Sequence, residues 1–501
     1  MLSAQPSREK PTKLRVKVTN AVTKGVIPNA TVRVTQPAQT AVTDATGWAE
    51  FAVAPGTYRI AATAPGYFSE GVASEEIFKV EPDRLNESTG VNLSPLATIS
   101  GQVRDENDDP IAGAKVLLGK PDFTWGKPFL AQVQSTSTDA RGLFRIAELR
   151  PGTYILRSAP DQLPPDATGY GARYYPNSRD LAGAQRIQIK AGDNLTSLDF
   201  RWSKEPVYQV RGRLTGQTLA RQPITLHSCP QTMETIPMFL TTAYANENGS
   251  FETKRVPAGT YCLNYDEKAT GYSAQRLVTI TDRDLNDVEL KAEAPVTLSG
   301  NLTGAGAARP LLLIRPVDER RSPLTGQITL TSDTFSVRLA PGNYEFQVAP
   351  GIDHHLKTLK LNDEEVRDHR LRLTGESAKL TVQLDEGKGE VTGTVQGAPE
   401  QNERIGLILL PAEPGKQNWE DLVRSGTAFG RNAFRMTKVP PGIYTLYAWQ
   451  GGGLGAREQD VLRQFPGITV TVKDGEVTTA QPKLILAEQY EAMLAKAMDL
   501  R

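Results

Sequence analysis

Cysteine is nearly missing from this chain: Cys229 and Cys262 are its only two among 501 residues. A structural zinc site takes four clustered ligands, so two isolated cysteines make none. Histidine is equally scarce. His227, His354, His355 and His369 are all there are, and none is followed three residues on by glutamate. That excludes the His-x-x-Glu pair of zinc peptidases, and since no histidine is followed directly by glutamate, no His-Glu-x-x-His occurs either. An excess of one charge is absent too, with 57 basic against 57 acidic residues, so no net field draws nucleic acid or an acidic surface. No apolar run approaches the ~18 residues of a membrane-crossing helix, and helical periodicity is almost absent. Neither a Gly-x-Ser-x-Gly elbow nor a P-loop nor a dinucleotide fingerprint occurs. Gly451-Gly452-Gly453-Leu454-Gly455 precedes no Lys-Ser/Thr and reads as a loop.

What the chain has is turns and short alternating runs. Gly (43) and Pro (34) are abundant, and runs such as Leu14-Arg15-Val16-Lys17-Val18 alternate in the two-residue period of a strand. A tetrapeptide recurs: Pro55-Gly56-Thr57-Tyr58, Pro151 to Tyr154, Ala258 to Tyr261, Pro341 to Tyr344 and Pro441 to Tyr444. The tyrosines stand 83 to 107 residues apart, the size of one small β-sandwich, which points to five tandem modules. Pro-Gly predicts a type II turn, with Gly at positive φ. The tyrosine after it opens a strand and answers a packing need shared by all five modules. Asp44 to Gly47, Asp139 to Gly142 and Asn246 to Gly249 read as a tight middle turn. A fourth version has degenerated to Ser332-Asp333-Thr334-Phe335, and each opening strand is expected to carry a central Gly.

The reading is all-β: a tandem array of about five small Greek-key sandwiches with a short C-terminal helix. The expected boundaries are a disordered segment 1–12, sandwiches at 13–95, 96–205, 206–294, 295–387 and 388–486, and a helix at 487–501, where Leu494 and Met498 stand at helical spacing. Linkers are a few residues at most, which implies a semi-rigid array.

Ile99-Ser100-Gly101-Gln102-Val103, Pro110-Ile111-Ala112-Gly113-Ala114-Lys115-Val116, Asp139 to Phe144 and Pro151 to Tyr154 together resemble the carboxypeptidase regulatory-like domain, a transthyretin- or prealbumin-like β-sandwich. Tyr174-Tyr175-Pro176, Arg186 to Lys190, Leu462 to Phe465 and Val472 to Glu476 are similar to large bacterial, Acidobacteria-type exported proteins built of such domains. The resemblance implies an exported, non-catalytic scaffold. The fold superfamily also holds starch-binding-like modules, which raises glycan contact by analogy of fold.

Candidate binding residues lie in two insertions of the second module: Phe123, Trp125 and Phe129, then Tyr170, Tyr174 and Tyr175. Loop aromatics on a rigid scaffold suit a sugar-stacking rim or a partner contact; alternatively they fold back and cover the end of the sandwich. Exposed, coplanar rings would mark the first, buried rings the second. Cys229 and Cys262 are read as a bridge, in keeping with export, with two reduced core thiols as the alternative. Leu2-Ser3-Ala4 before Gln5 is either the trimmed end of a signal peptide or an ordinary terminus. His354-His355 is taken for an exposed loop pair. Asp105-Glu106-Asn107-Asp108-Asp109 begins like a calcium loop, but Pro110 stands where Gly is needed and Val116 where Glu is needed, so it reads as a hairpin turn. Catalytic residues, cofactors and metals are expected to be none. The expected partner is a protein or a cell-surface glycan, met outside the cytoplasm.

Overall fold

The computed structural model describes residues 11–493 except 36–37, 70–74, 83, 125–126, 162–166, 182, 217–222, 230–238, 268–269, 307–310, 318–326, 330–331, 349–352, 399–404, 414–415, 417–418, 429–431, 451–458 and 491. Among the described residues the secondary structure is almost all strand, laid out as 11 small sheets. By contacts it falls into two compact units. One comprises Met1–Leu118, Gln134–Ser158 and Arg173–Arg201; the other comprises Gly119–Val133, Ala159–Ala172 and Trp202–Arg501.

One plan repeats along the sequence. An opening strand sits centrally in a three-strand core, antiparallel to the strand after the middle turn and parallel to a closing strand. Thr12–Asn20 lies so between Trp48–Val53 and Asn86–Pro95. Ala97–Arg104 lies between Leu143–Leu149 and Asn194–Leu195, and Val210–Thr215 between Ser250–Glu252 and Leu285–Lys291. Val296–Thr303 lies between Thr334–Leu339 and Ser377–Glu386, and Gly389–Thr394 between Ala433–Val439 and Val477–Ala480. A second sheet, built on the strand that follows the recurrent tetrapeptide, faces each of these. Alternation does the rest: Leu14, Val16 and Val18 from one sheet meet Val32, Val34, Tyr58 and Ile60 from the other in one buried cluster.

The tetrapeptide is not a type II turn. Its glycines lie at φ 158° (Gly56), 154° (Gly152), 152° (Gly342) and 159° (Gly442), near extended, and Gly259 has no positive φ. A type II turn needs about +80° there. The glycine instead begins the strand, as in Gly56–Thr63. The tyrosine closes the corner from beyond: its hydroxyl donates to the carbonyl four residues back. The pairs are Tyr58 to Ala54 (2.7 Å), Tyr154 to Arg150 (2.8 Å), Tyr261 to Pro257 (2.7 Å), Tyr344 to Ala340 (2.7 Å) and Tyr444 to Pro440 (2.9 Å).

The middle turn persists where its sequence does not. Val18, Val103 and Leu214 donate their amides to the carbonyls of Gly47, Gly142 and Gly249; Leu302 and Val395 donate equally to Asp333 and Asn432. Four opening strands carry the expected glycine, each directly paired with a phenylalanine: Gly101 with Phe144, Gly212 with Phe251, Gly300 with Phe335, Gly393 with Phe434. The first module has none. At the same register it places Val16 against Ala49, so the bulk moves to the opposite strand and the volume is kept.

At the ends, Thr12 already belongs to the first strand, and residues 1–10 lie outside the described residues. Residues 487–490 and 492–493 are helical; Leu494 and Met498 lie outside the described residues. The last module's sheet is covered on both faces. Its strand Ile405–Pro411 is buried throughout, and Ile408, Leu410, Tyr447 and Trp449 pack on the outer side against Val461, Leu462, Ile485 and Tyr490.

Candidate functional site

The described aromatics of the second insertion, Tyr170, Tyr174 and Tyr175, fold back onto the protein. Tyr174 follows Arg173 on a two-residue strand that pairs with Arg157 and Ser158. Its ring is 2% exposed and lies under the Arg157 guanidinium, 5.1 Å from the ring centre. A ring so covered offers no face to a sugar, so a stacking platform at Tyr174 is corrected to a packing role. Tyr175 is half-buried and meets Phe200 edge-on at 5.8 Å. Tyr170 is half-buried too, its ring 5.4 Å from buried Trp202. The strand just before it, Thr168–Gly169, pairs with Glu205–Tyr208, which in turn pairs with Val256–Pro257. That part of the insertion is thus stitched to the third module. Phe123 stands on the strand Lys115–Thr124; its side chain, that of Phe129 and all of Trp125 lie outside the described residues.

Cys229 and Cys262 are joined through sulfur, their Cα atoms 5.0 Å apart, and close a separation of 33 residues. His227 is directly opposite Cys262 on the neighbouring strand. Its Nε2 lies 2.6 Å from Asn264 Nδ2, and burial lowers the imidazole below its ordinary 6.5. His354 and His355 are not a loop pair. They begin the strand His354–Leu361, opposite Glu386 and Asp385, and are half-buried.

The acidic hairpin is occupied with itself. Asp105 Oδ1 accepts the amides of Asn107 and Asp109, each at 2.9 Å, and Asp108 pairs with Arg201 at 2.8 Å. Among the described residues no three His, Cys, Asp or Glu side chains are grouped to hold a metal, and no helix is long and apolar enough to cross a membrane.

The groups that sequence reasoning missed meet between the fourth and fifth sandwiches. His369, Trp419, Asp421 and Arg424 converge there, from positions with no shared motif or period.

Residues 13–84 and 98–203 match the carboxypeptidase regulatory-like domain. The chain thus carries a carboxypeptidase regulatory-like β-sandwich, and the same plan of small sheets repeats along it. A search of the curated proteins finds no match. Among solved structures, the Bacillus anthracis TIE protein is 15% identical with a TM-score of 0.19, covering 57% of this chain. The present chain spans about half of that protein, 51% of its length. A streptococcal ancillary pilin is 12% identical, covering 57% of this chain and 99% of its own, with a TM-score of 0.21. GBS52, the minor pilin of Streptococcus agalactiae, is 14% identical, covering 42% and 100%, with a TM-score of 0.22. TM-scores this low fix neither activity nor partner.

Proposed function

We propose that this chain is an exported, non-catalytic spacer: a row of β-sandwiches, bounded near residues 95, 205, 294 and 387, that holds binding loops at a distance and presents them to a protein or cell-surface partner. The observation that carries this reading is the construction of the joints. Leu96 alone separates the strands Asn86–Pro95 and Ala97–Arg104. Its amide donates to Gly66 at 2.8 Å, and the Arg150 guanidinium lies over Phe68 at 5.3 Å. Between the third and fourth sandwiches only residues 292–295 intervene, and Arg338 of the fourth donates Nη1 to the carbonyl of Thr270 of the third at 3.5 Å. Residues 387–388 join the fourth to the fifth. Connections this short suit a protein whose work is to keep a distance. The disulfide supports an oxidising location, where such bonds persist.

The test is made on intact cells of the source organism. Free thiols are blocked with a bulky maleimide before lysis, and an external protease is added in parallel. The expected result is that Cys229 and Cys262 escape the maleimide while the chain is cleaved from outside, or is recovered in the periplasmic fraction. Two alkylated cysteines in a cytosolic chain would contradict export, and with it the proposed role.

A further inference from the structure

The joint between the fourth and fifth sandwiches is fastened by side chains rather than by the linker alone. A short turn of 3-10 helix, Glu420–Leu422, projects from the fifth. Asp421 on it is 2% exposed, and its Oδ2 accepts the amide of Leu356, in the fourth, at 2.7 Å. Leu356 stands where the register between its strand and Ser377–Glu386 shifts. Two residues before Asp421, the ring of Trp419 stacks on His369 of the fourth at 3.9 Å and 21°. His369 is 4% exposed. At the rim Lys438 of the fifth pairs with Asp353 and Glu386 of the fourth.

We propose that these contacts form a latch that holds the two sandwiches as one cooperative body, and that His369 and Asp421 offset one another so that acidification neither frees nor tightens it strongly. The offset has a physical origin. Closing the joint takes both side chains out of water, which disfavours the charged form of each. Burial brings the His369 imidazole from its ordinary 6.5 down to about 4, against a small opposing pull from Asp368. Burial likewise pushes the Asp421 carboxyl from 3.8 up to about 6, despite the Leu356 amide and the charge of Arg424.

The signs oppose. Closure weakens at His369 as pH falls from 6.5 through about 4, because the open joint then holds a proton that the closed joint refuses. Closure strengthens at Asp421 over the overlapping interval from about 6 down to 3.8, because the closed joint takes up a proton.

Other charges face the same place. Arg424 donates Nη1 to the carbonyls of Asp421 and Val423, and feels Asp353 and Tyr444. Lys416 lies 5.5 Å from the Trp419 ring centre. His355, lowered by burial, Arg424 and Lys357 and raised by Asp385, pulls in the sense of His369. These groups are common to wild type and variants, so they drop out of a comparison between them.

The test is hydrogen exchange of the Leu356 amide in the full chain, corrected for intrinsic rate, at about pH 7 and about pH 4.5. Relative to wild type over the same interval, protection in Asp421→Asn is expected to fall further on acidification, on the order of 20-fold. In His369→Gln it is expected to rise relative to wild type, on the order of 50-fold. Wild type is expected between the two. His369→Phe, which keeps a ring against Trp419, serves if the glutamine variant does not fold. A merely weakened joint would lower protection equally at both pH values. Parallel slopes in all three proteins, or a wild type outside the bracket of its variants, would overturn the proposal.

Discussion

The hydroxyl of Tyr58 donates to the carbonyl of Ala54 at 2.7 Å, across the corner that turns the chain into the strand Gly56–Thr63. The bond recurs in all five modules, with donor and acceptor always four residues apart. The phenol supplies a hydrogen bond to the corner carbonyl while its ring fills the core. Replacing Tyr58 by Phe keeps the ring and removes the bond, which should cost about 1 kcal/mol. The bond at Tyr444 lies in a fully buried place, so Tyr444→Phe orphans the Pro440 carbonyl and should cost more, about 1–3 kcal/mol. Urea unfolding followed by exchange within each module checks the ranking. Burial raises the phenols of Tyr154, Tyr261 and Tyr444 above the ordinary 10. Stability from these groups is therefore full below pH 10 and lost above it, and Tyr444→Phe should flatten that alkaline fall.

Asp139 caps the middle turn of the second module through the amides of Arg141 (2.8 Å) and Leu143 (2.9 Å). The Leu143 amide leads in holding the carboxyl below its ordinary 3.8. A lowered carboxyl stabilises above that value and ceases to as pH falls through the folded value. The third module uses Asn246 in the same place, accepting from Ser250 at 2.9 Å. Asp139→Asn should therefore fold normally and lose this acid sensitivity, whereas Asp139→Ala should be less stable already at neutral pH. Denaturation curves at about pH 7 and about pH 2 distinguish the three proteins.

A β-carbon at Gly300 would collide with the ring of Phe335, and the three nearest atoms all belong to that ring. At Gly212 the collision is with the backbone carbonyl of Val288 as well as the ring of Phe251. Either glycine changed to alanine should cost about 2–3 kcal/mol by overpacking. Adding Phe335→Ala to Gly300→Val should recover part of the loss, since this is the arrangement that Val16 and Ala49 adopt in the first module. The matching pair at Gly212 and Phe251 should recover less, because a carbonyl does not yield. Melting of the singles and doubles checks this.

The Cys229–Cys262 bond closes a 33-residue separation, for which chain entropy gives about 4 kcal/mol. Reduction should lower protection of the strands Pro223–Ser228 and Gly259–Asp266 by exchange mass spectrometry and leave the first module unchanged. Loss of protection throughout would mean that the modules are coupled far beyond their joints.

The repeated corner, the sandwich plan and the cysteine pair were legible because each is written in adjacent residues with a local physical meaning. The conformation of Gly56 was not, since Pro-Gly serves a strand entry as well as a type II turn and the choice falls to the Tyr58–Ala54 bond behind it. The same holds for the fourth middle turn, where the backbone carbonyl of Asp333 accepts the Leu302 amide just as those of Gly47, Gly142 and Gly249 accept theirs, although the turn sequence differs. Tyr174 was illegible for a related reason. Tyr174 looks like a rim residue until the strand Gly152–Ala159 draws Arg173 and Tyr174 alongside it. Least legible was the latch, because Leu356 and Asp421 are 65 residues apart and no periodicity links positions in different sandwiches.

The proposed spacer role requires joints that hold. Spin labels at Glu364→Cys and Glu476→Cys, exposed positions in the fourth and fifth sandwiches, report on one of them by pulsed dipolar spectroscopy of the full chain. A single narrow distance distribution, unchanged in width between about pH 7 and about pH 4.5, is the predicted result. A broad or multi-peaked distribution would contradict the account, because sandwiches that swing freely at a two-residue joint hold no fixed distance.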